Sequence, residues 1–300
     1  MNKQTPKSSR DLGLEFGAIC GKFFLGIEHL HYGYWPADLD VNINNLRIAQ
    51  EKYTDFLISH IPAGAQTILD VGCGSGQTAK RLIEMGHKVA CVSPNPTLNK
   101  KVRQLLGDSV RIYECRYEDL ETDDKFDLVL FSESFQYMKV DKAMAKTSQI
   151  LSPTGWLLIC DIFKKDIDGV KNTGGGHRLS RFYRYIANLP FNPVEDLDIT
   201  DFTSPNLDLL DQTLKNVVEP ILESTISFLS GRYPLMSKFM LWIYRRKIEK
   251  AQNKYFNGNR TSEDFRKFKA YKLFLYRNAV AAPTETHKAA PVPEYCTTGS

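Results

Sequence analysis

The residues with the clearest capacity for chemistry are the run Asp70-Val-Gly-Cys-Gly-Ser-Gly76. Gly72, Gly74 and Gly76 carry no Cβ, so the chain there can turn tightly and approach a bound molecule closely. A helix that starts just after them has unsatisfied N–H groups in its first turn, facing the same crevice. The spacing is G-x-G-x-G, not the G-x-G-x-x-G of dinucleotide sites. The acid ahead of the glycines would repel a pyrophosphate and suits a ligand bearing an ammonium group. Cys73 and Gln77, within and just after the loop, join Asp70 and the glycines as candidate ligand contacts.

A second cluster lies upstream, in Glu28-His-Leu-His-Tyr-Gly-Tyr-Trp35. Aromatic faces stabilise a cation by roughly 0.5–2 kcal/mol. Tyr32, Tyr34 and Trp35 are therefore candidates to cover a cationic ligand and shape a substrate entrance, with core packing as the competing role. His29 and His31 carry the same two readings, and His31 is a candidate catalytic group. A third cluster closes the run Phe126-Asp-Leu-Val-Leu-Phe-Ser-Glu-Ser-Phe-Gln-Tyr-Met138. Ser132 and Glu133 would stand at the carboxyl end of a strand, where doubly wound sheets hold their ligands. Glu133 and Tyr137 are the other catalytic candidates. His177, in Gly174-Gly-Gly-His-Arg178, sits in a glycine-rich loop from which it could reach the site.

Strands alternating with helices must position these groups. Thr67–Val71, Lys88–Val92, Val110–Tyr113, Phe126–Phe131 and Trp156–Cys160 are short apolar runs. Helical patterns separate most of them, from Thr78 to Met85, Thr97 to Leu106 and Asp141 to Leu151. Phe191–Thr200 and Ala270–Tyr276 add two more strands. This order predicts an α/β fold, a doubly wound, seven-stranded and mostly parallel sheet with helices on both faces. Residues 62–204 and a last strand within 263–279 form the core. Residues 11–61, helical from Phe16 and broken at Tyr32–Pro36, and a helical insertion over 205–262 form a cap. The insertion includes Leu207–Leu229 and Pro234–Tyr255, where Met236, Met240 and Ile243 recur at helical spacing. Residues 1–10 read as disordered and 280–300 as a flexible tail.

The glycine loop in this setting resembles that of class I S-adenosylmethionine (SAM)-dependent methyltransferases. The resemblance covers residues 26–160 at the level of motifs and the rest by topology. It implies a Rossmann-like fold, SAM as cofactor, and Asp70 acting on the amino group of the methionine half. After the second strand, Val92-Ser-Pro-Asn-Pro96 has no acid where many relatives grip the ribose. The lipid and natural-product branch, with cyclopropane-fatty-acid synthases and tocopherol methyltransferases, often has Ser or Thr there. Ser93 and Asn95 are thus implied as neutral ribose contacts. Cys115-Arg-Tyr-Glu-Asp-Leu120 is similar to the segment bordering adenine, which implies roles for Tyr117 and Glu118. Tyr34 belongs to an aromatic segment that in this branch lies over SAM. Tyr137 stands where relatives often carry His. The implied acceptor is a small molecule, hydrophobic or lipid-like.

Composition agrees with a soluble globular chain: 42% of residues are hydrophobic and 25% charged. No apolar run reaches the ~18–20 residues of a bilayer span, and the polar N-terminus lacks a secretory core, so a cytoplasmic location is expected. Six cysteines without CxxC pairs, and no His at ligand spacing, argue against a metal site or a disulfide framework. From Lys238 to Arg277, twelve Lys or Arg face three Asp or Glu, while the whole chain carries only +4. That segment reads as a solvated face, as a contact with anionic membrane, or as the footprint of a nucleic-acid methyltransferase. The last lacks an N-P-P-Y-type motif after the fourth strand. A non-catalytic SAM-fold binding protein is the remaining alternative, and the intact glycine loop argues against it.

Overall fold

Short apolar runs without alternation mark strands buried on both faces. β1 (Thr67–Val71) behaves so, with every residue after the first buried. In the computed structural model, which describes residues 23, 26–107, 110–167, 175–255 and 261–279, it is an interior strand, third from one edge of the sheet. The other strands are β2 (Lys88–Val92), β3 (Arg111–Tyr113), β4 (Phe126–Ser132), β5 (Leu151–Lys164), β6 (His177–Arg178), β7 (Phe191–Asp198) and β8 (Lys269–Asn278). Seven run in the order β3-β2-β1-β4-β5-β8-β7, and the two-residue β6 pairs beside β5 as an eighth. β8 is antiparallel to both of its neighbours, and every other pairing is parallel. The expected doubly wound, mostly parallel sheet is therefore present, with one short strand more than the sequence indicates. Pro153-Thr-Gly155, which precedes the expected strand Trp156–Cys160, lies inside β5, so this strand begins earlier than its apolar run. The pairing with β4 shifts there, from Phe126–Leu151 to Leu128–Trp156, because Pro153 has no N–H to give the ladder.

Ten helices flank the sheet among the described residues: α1 (Leu46–Ser59), α2 (Gln77–Glu84), α3 (Pro96–Leu106), α4 (Val140–Ile150), α5 (Leu179–Ile186), α6 (Thr200–Thr203), α7 (Pro205–Thr213), α8 (Glu219–Arg232), α9 (Pro234–Tyr255) and α10 (Ser262–Phe268). The pleat sends successive side chains to opposite faces. Leu69, Val71, Val129 and Phe131 join one core with Met144 of α4 and Phe182 of α5. Ile68, Leu128, Leu130 and Leu273 join the other with Tyr53 and Leu57 of α1.

The N-terminal segment departs from the helical expectation. Residues 26–41 are irregular on both sides of the expected break, and helix follows at the 3-10 turn Ile43–Asn45 that leads into α1; Phe23 is helical, and the rest of the expected helix before residue 26 lies outside the described residues. Buried irregular backbone needs partners for its polar groups. Gly33 exchanges hydrogen bonds with the Asn206 side chain at 2.8 and 2.7 Å, Tyr34 N donates to Ala49 O, and Trp35 N to Phe202 O. These bonds strap the segment across α1, α6 and α7. At the other end of the chain, α7 and α8 join through a π-helical turn, Leu214–Val218. No residue of α8 is buried, and in α9 Leu235 is 83% and Trp242 64% exposed. α8 and α9 of the helical insertion thus project outward, and Trp242 does not wall an enclosed space with Tyr32–Trp35. The expected disordered start (1–10) and flexible tail (280–300) lie outside the described residues.

Candidate functional site

β1 delivers Asp70 and the glycine loop to the carboxyl edge of the sheet. Gly72, Gly74 and Gly76 all adopt left-handed φ values, +78°, +55° and +86°, which only glycine takes without strain. They serve different ends. A Cβ at Gly72 would stand 2.5 Å from the Ser134 Cβ, so this glycine lets β1 and the turn after β4 close together. A Cβ at Gly74 would make only ordinary contact with Leu30, at 3.8 Å, and this glycine lines the cavity over the loop. Gly76 caps α2 with no side-chain hydrogen bond to the first-turn N–H groups.

A cavity of about 150 Å³ lies over the loop, walled by Asp70, Gly72, Gly74, Leu30, His31 and Glu133 among others. A second hollow of about 300 Å³ shares Leu30, Ser75 and Gln77 with it. The upstream segment is tied down as a cover: Ser75 Oγ donates to the Glu28 carbonyl at 2.6 Å, and Gln77 Nε2 to Glu28 Oε2 at 2.9 Å. Asp70 is 2% exposed, and its Oδ2 has no hydrogen-bond partner. Burial raises its carboxyl to about 7. A buried acceptor left without a donor is costly, and an ammonium group entering the cavity would satisfy it. Gly74 in the cavity wall and the orphaned oxygen of Asp70 both fit the amino-acid end of SAM.

Glu133 caps β4 with φ +52°, a left-handed turn rare for a side chain of this kind. Its Oε1 accepts from the Tyr32 N–H and from the Tyr271 hydroxyl, each at 2.7 Å. The Tyr271 hydroxyl lies 2.9 Å from that of Tyr53, which is 3.2 Å from Ser132 Oγ. Burial outweighs both hydrogen bonds and raises Glu133 to about 7. A carboxyl poised near neutrality in a cavity is suited to taking up a proton. His31 also lines the cavity, with both nitrogens engaged. Nδ1 lies 2.8 Å from Tyr32 O, an acceptor, so Nδ1 carries the hydrogen. Nε2 lies 3.0 Å from His29 Nδ1 and 3.2 Å from Thr54 Oγ1. Burial, and then His29, pull its pKa down to about 3, so the ring is neutral and braces the cover.

Of the residues expected from sequence, Asp70, Gly72, Cys73, Gly74, Gln77, Ser132, Glu133, Tyr137 and His31 all border this cavity. Tyr137 is 58% exposed at its mouth. Others are placed elsewhere. Tyr34 is stacked between Phe56 and Phe202, with ring centroids at 5.0 and 4.6 Å, and so packs the cap rather than covering a ligand. Tyr117 is buried in the core, its hydroxyl 2.7 Å from Thr147 Oγ1 and its ring edge-on to Phe131. Glu118 accepts a long bond, 3.4 Å, from Lys139 N. Asn95 uses its Oδ1 to cap α3, accepting from Thr97 N and Leu98 N. Ser93 is buried, and its Oγ accepts from Asn95 N at 3.3 Å. His177 stands in β6 and not in a loop, with Nε2 3.1 Å from Phe135 O. Sequence reasoning missed Tyr53 and Tyr271. Their only signal was a polar hydroxyl on otherwise apolar, core-facing positions of a helix and a strand.

Residues 69–159 match the methyltransferase-domain family. An uncharacterised methyltransferase of Mycobacterium tuberculosis (strain ATCC 25618 / H37Rv) is 27% identical over 150 residues, covering 50% of this chain and 53% of the relative. The chain thus spans about half the length of the mycobacterial relatives it matches. A malonyl-[acyl-carrier protein] O-methyltransferase of Anoxybacillus flavithermus is 31% identical over 113 residues, 36% of this chain and 44% of that one. Among solved structures, geranyl diphosphate C-methyltransferase from Streptomyces coelicolor A3(2) superposes with a TM-score of 0.62 at 17% identity, covering 92% of this chain and all of that one. That structure holds Mg2+, geranyl-S-thiolodiphosphate and S-adenosyl-L-homocysteine. The [4+2]-cyclase SpnF superposes with a TM-score of 0.61 at 18% identity, over 93% of this chain and 98% of that one.

Proposed function

We propose that this chain, which carries a class I SAM-dependent methyltransferase domain, transfers the methyl group of SAM to a small-molecule acceptor held beside Glu133 and Tyr137. The observation that carries the reading is the unpartnered carboxylate oxygen of buried Asp70 in the wall of the cavity over the glycine loop. When bound, SAM supplies a methyl group already activated by its sulfonium. The protein's own work is then alignment and exclusion of water, and alignment alone can account for roughly 7–11 kcal/mol of a barrier. Asp70 holds the amino-acid end, and the segment from Glu28 to His31 closes over the loop. Glu133, near its midpoint at neutral pH, takes the proton from an acceptor hydroxyl, amine or activated carbon as the new bond to methyl forms. Tyr271 and the Tyr32 N–H hold the receiving carboxylate in place.

The acceptor is read as hydrophobic or lipid-like, reached at an anionic membrane surface. Support comes from α9, where exposed Leu235, Phe239 and Trp242 share a helix with Arg245, Arg246 and Lys247. Apolar and basic side chains on an exposed helix are the composition of membrane-surface segments. No helix among the described residues is long and apolar enough to cross a membrane. Incubation with methyl-labelled SAM and cell extracts, followed by identification of the labelled product, tests the activity. SAM binding without transfer to any component would refute it, and that outcome is informative because the fold is shared with a cyclase. Flotation with anionic and neutral liposomes tests the surface contact, which requires a preference for the anionic ones.

A further inference from the structure

A cavity of about 750 Å³ lies beside the candidate site and not in it. The two are joined by one step of chain: Tyr137 borders the first cavity and Met138 the second. Its wall is strongly basic. Lys139, Lys164, Lys165, Arg178 and Arg181 line it, with Asp141 as the one carboxylate among the described lining residues. Some of these cations are committed elsewhere: Lys165 Nζ donates to Arg266 O at 2.6 Å, and Arg178 lies 3.7 Å from Asp166. Lys139, Lys164 and Arg181 have no ion pair among the described residues.

The sheet itself makes this concentration costly. Lys164, at the end of β5, is register-paired with Arg178 on β6 and with Lys269 on β8. Three cations thus stand abreast across three strands, where like charges side by side are destabilising. The strain has local signs. Lys269 is pulled down to about 8, by burial and then by Lys164. His177 is lowered by burial, with Arg181 and Lys164 adding to it. The N-terminus of α4 opens on the same space, and Lys139 there provides no side-chain cap for its N–H groups. A volume of this size accommodates a metabolite-sized molecule. Three cations with no ion pair among the described residues call for more than the single charge of a carboxylate.

We infer that this cavity holds a phosphate or diphosphate group, carried by the methyl acceptor. The assignment to the acceptor rests on the methyltransferase reading above; the phosphate site does not. Charge-assisted hydrogen bonds from Lys164 and Arg181 would anchor the group, leaving the rest of the molecule to extend past Met138 and Tyr137 toward Glu133.

The test is calorimetric titration of the full chain with inorganic pyrophosphate, with inorganic phosphate, and with vesicles containing phosphatidic acid. The comparison is a Lys164→Gln/Arg181→Gln double variant whose fold is checked by its melting temperature. Lys139→Gln, off the sheet, serves as a second variant. Wild type should bind pyrophosphate, more weakly at high salt. The double variant should lose at least tenfold and Lys139→Gln several-fold, with SAM affinity unchanged in both. Binding of pyrophosphate alone points to a free phosphorylated molecule, and binding of the vesicles, lost in the same variants, to a lipid headgroup. Wild type that binds none of the three, or variants that bind as well as wild type, would overturn the inference. Failure of the methyltransferase reading has a separate signature, since wild type would then not bind SAM or would bind it without transferring its methyl group to any component.

Discussion

The proposed contact of Asp70 with the amino-acid end of SAM should make SAM binding a proton-linked event. Its carboxyl is raised to about 7 by burial, so near neutrality about half of the free protein has Asp70 protonated. Only the ionised form offers full charge to an ammonium group. If that form alone binds, the apparent dissociation constant scales as one plus the ratio of protonated to ionised Asp70. From pH 7.5 down to pH 5.5 this ratio grows enough to weaken SAM roughly 25-fold, below the roughly 100-fold that one proton could impose over two pH units at about 1.4 kcal/mol per unit. The sign is fixed: affinity rises with pH through the window around 7 and then levels off. Calorimetry in buffers of different ionisation enthalpy should also show proton release on binding, largest below pH 7. Glu133, raised to a similar value, is the competing source of such a profile. The Asp70→Asn variant separates the two, because it should bind SAM weakly and with a nearly flat pH dependence. A flat profile in wild type, or an unaltered one in Asp70→Asn, would refute the role of this carboxylate.

Gly74→Ala should cost about 1–2 kcal/mol of stability from its left-handed backbone and should sharply reduce SAM affinity. Gly72→Ala, which adds a clash with Ser134, should lower the melting temperature much further. Ser93→Ala removes a buried bond to Asn95 N, so about 0.5–1.5 kcal/mol should be lost from folding, read by urea unfolding, with little change in SAM binding. Asp70, Glu133 and Asp161 are all raised to about 7 by burial, so the ligand-free protein should lose stability as pH rises from the usual carboxylate range to about 7. Unfolding at pH 5 and 7.5 checks this, and Glu133→Gln should shrink the difference. Trp242→Ala, on an exposed helix, should move stability by no more than about 0.5 kcal/mol while weakening flotation with anionic liposomes.

The half of the site on the sheet was legible because its residues are local to one turn each. Asp70 and its glycines announce a strand, a tight turn and a helix in ten consecutive positions, and Ser132–Glu133 mark the end of the next apolar run. The half that comes from packing was not. Tyr271 reaches Glu133 across 138 residues of sequence, and nothing in Ala270–Tyr276 distinguishes its hydroxyl from that of any tyrosine on a strand. Tyr34 and Trp35 carry the same aromatic signal as Tyr32, yet only Tyr32 lends its backbone N–H to Glu133. Which way an irregular segment turns its rings depends on Asn206 and Ala49, to which it is tied. Asn95 was misread for a simpler reason: a residue placed before Pro96 at the start of a helix is an N-cap first. The outward course of α8 and α9 has no periodic signal, since apolar residues recur on a helix in the same way whether a partner is present or not.

β8 is the last strand in sequence among the described residues but occupies an inner place in the sheet, between β5 and β7. During synthesis at roughly 5–20 residues per second, β5 emerges more than a hundred residues before the strand that will cover its edge. For that interval the nascent chain presents an apolar edge, Leu157-Leu-Ile-Cys160, of the kind that recruits other strands. Arrival of β8 ends the exposure and brings Tyr271 to Glu133 in the same event. A ribosome stalled or a chain cut before Lys269 would therefore release a product that retains the glycine loop and lacks both a closed sheet and the Tyr271 hydrogen bond to Glu133, a species for chaperones and proteases to sort.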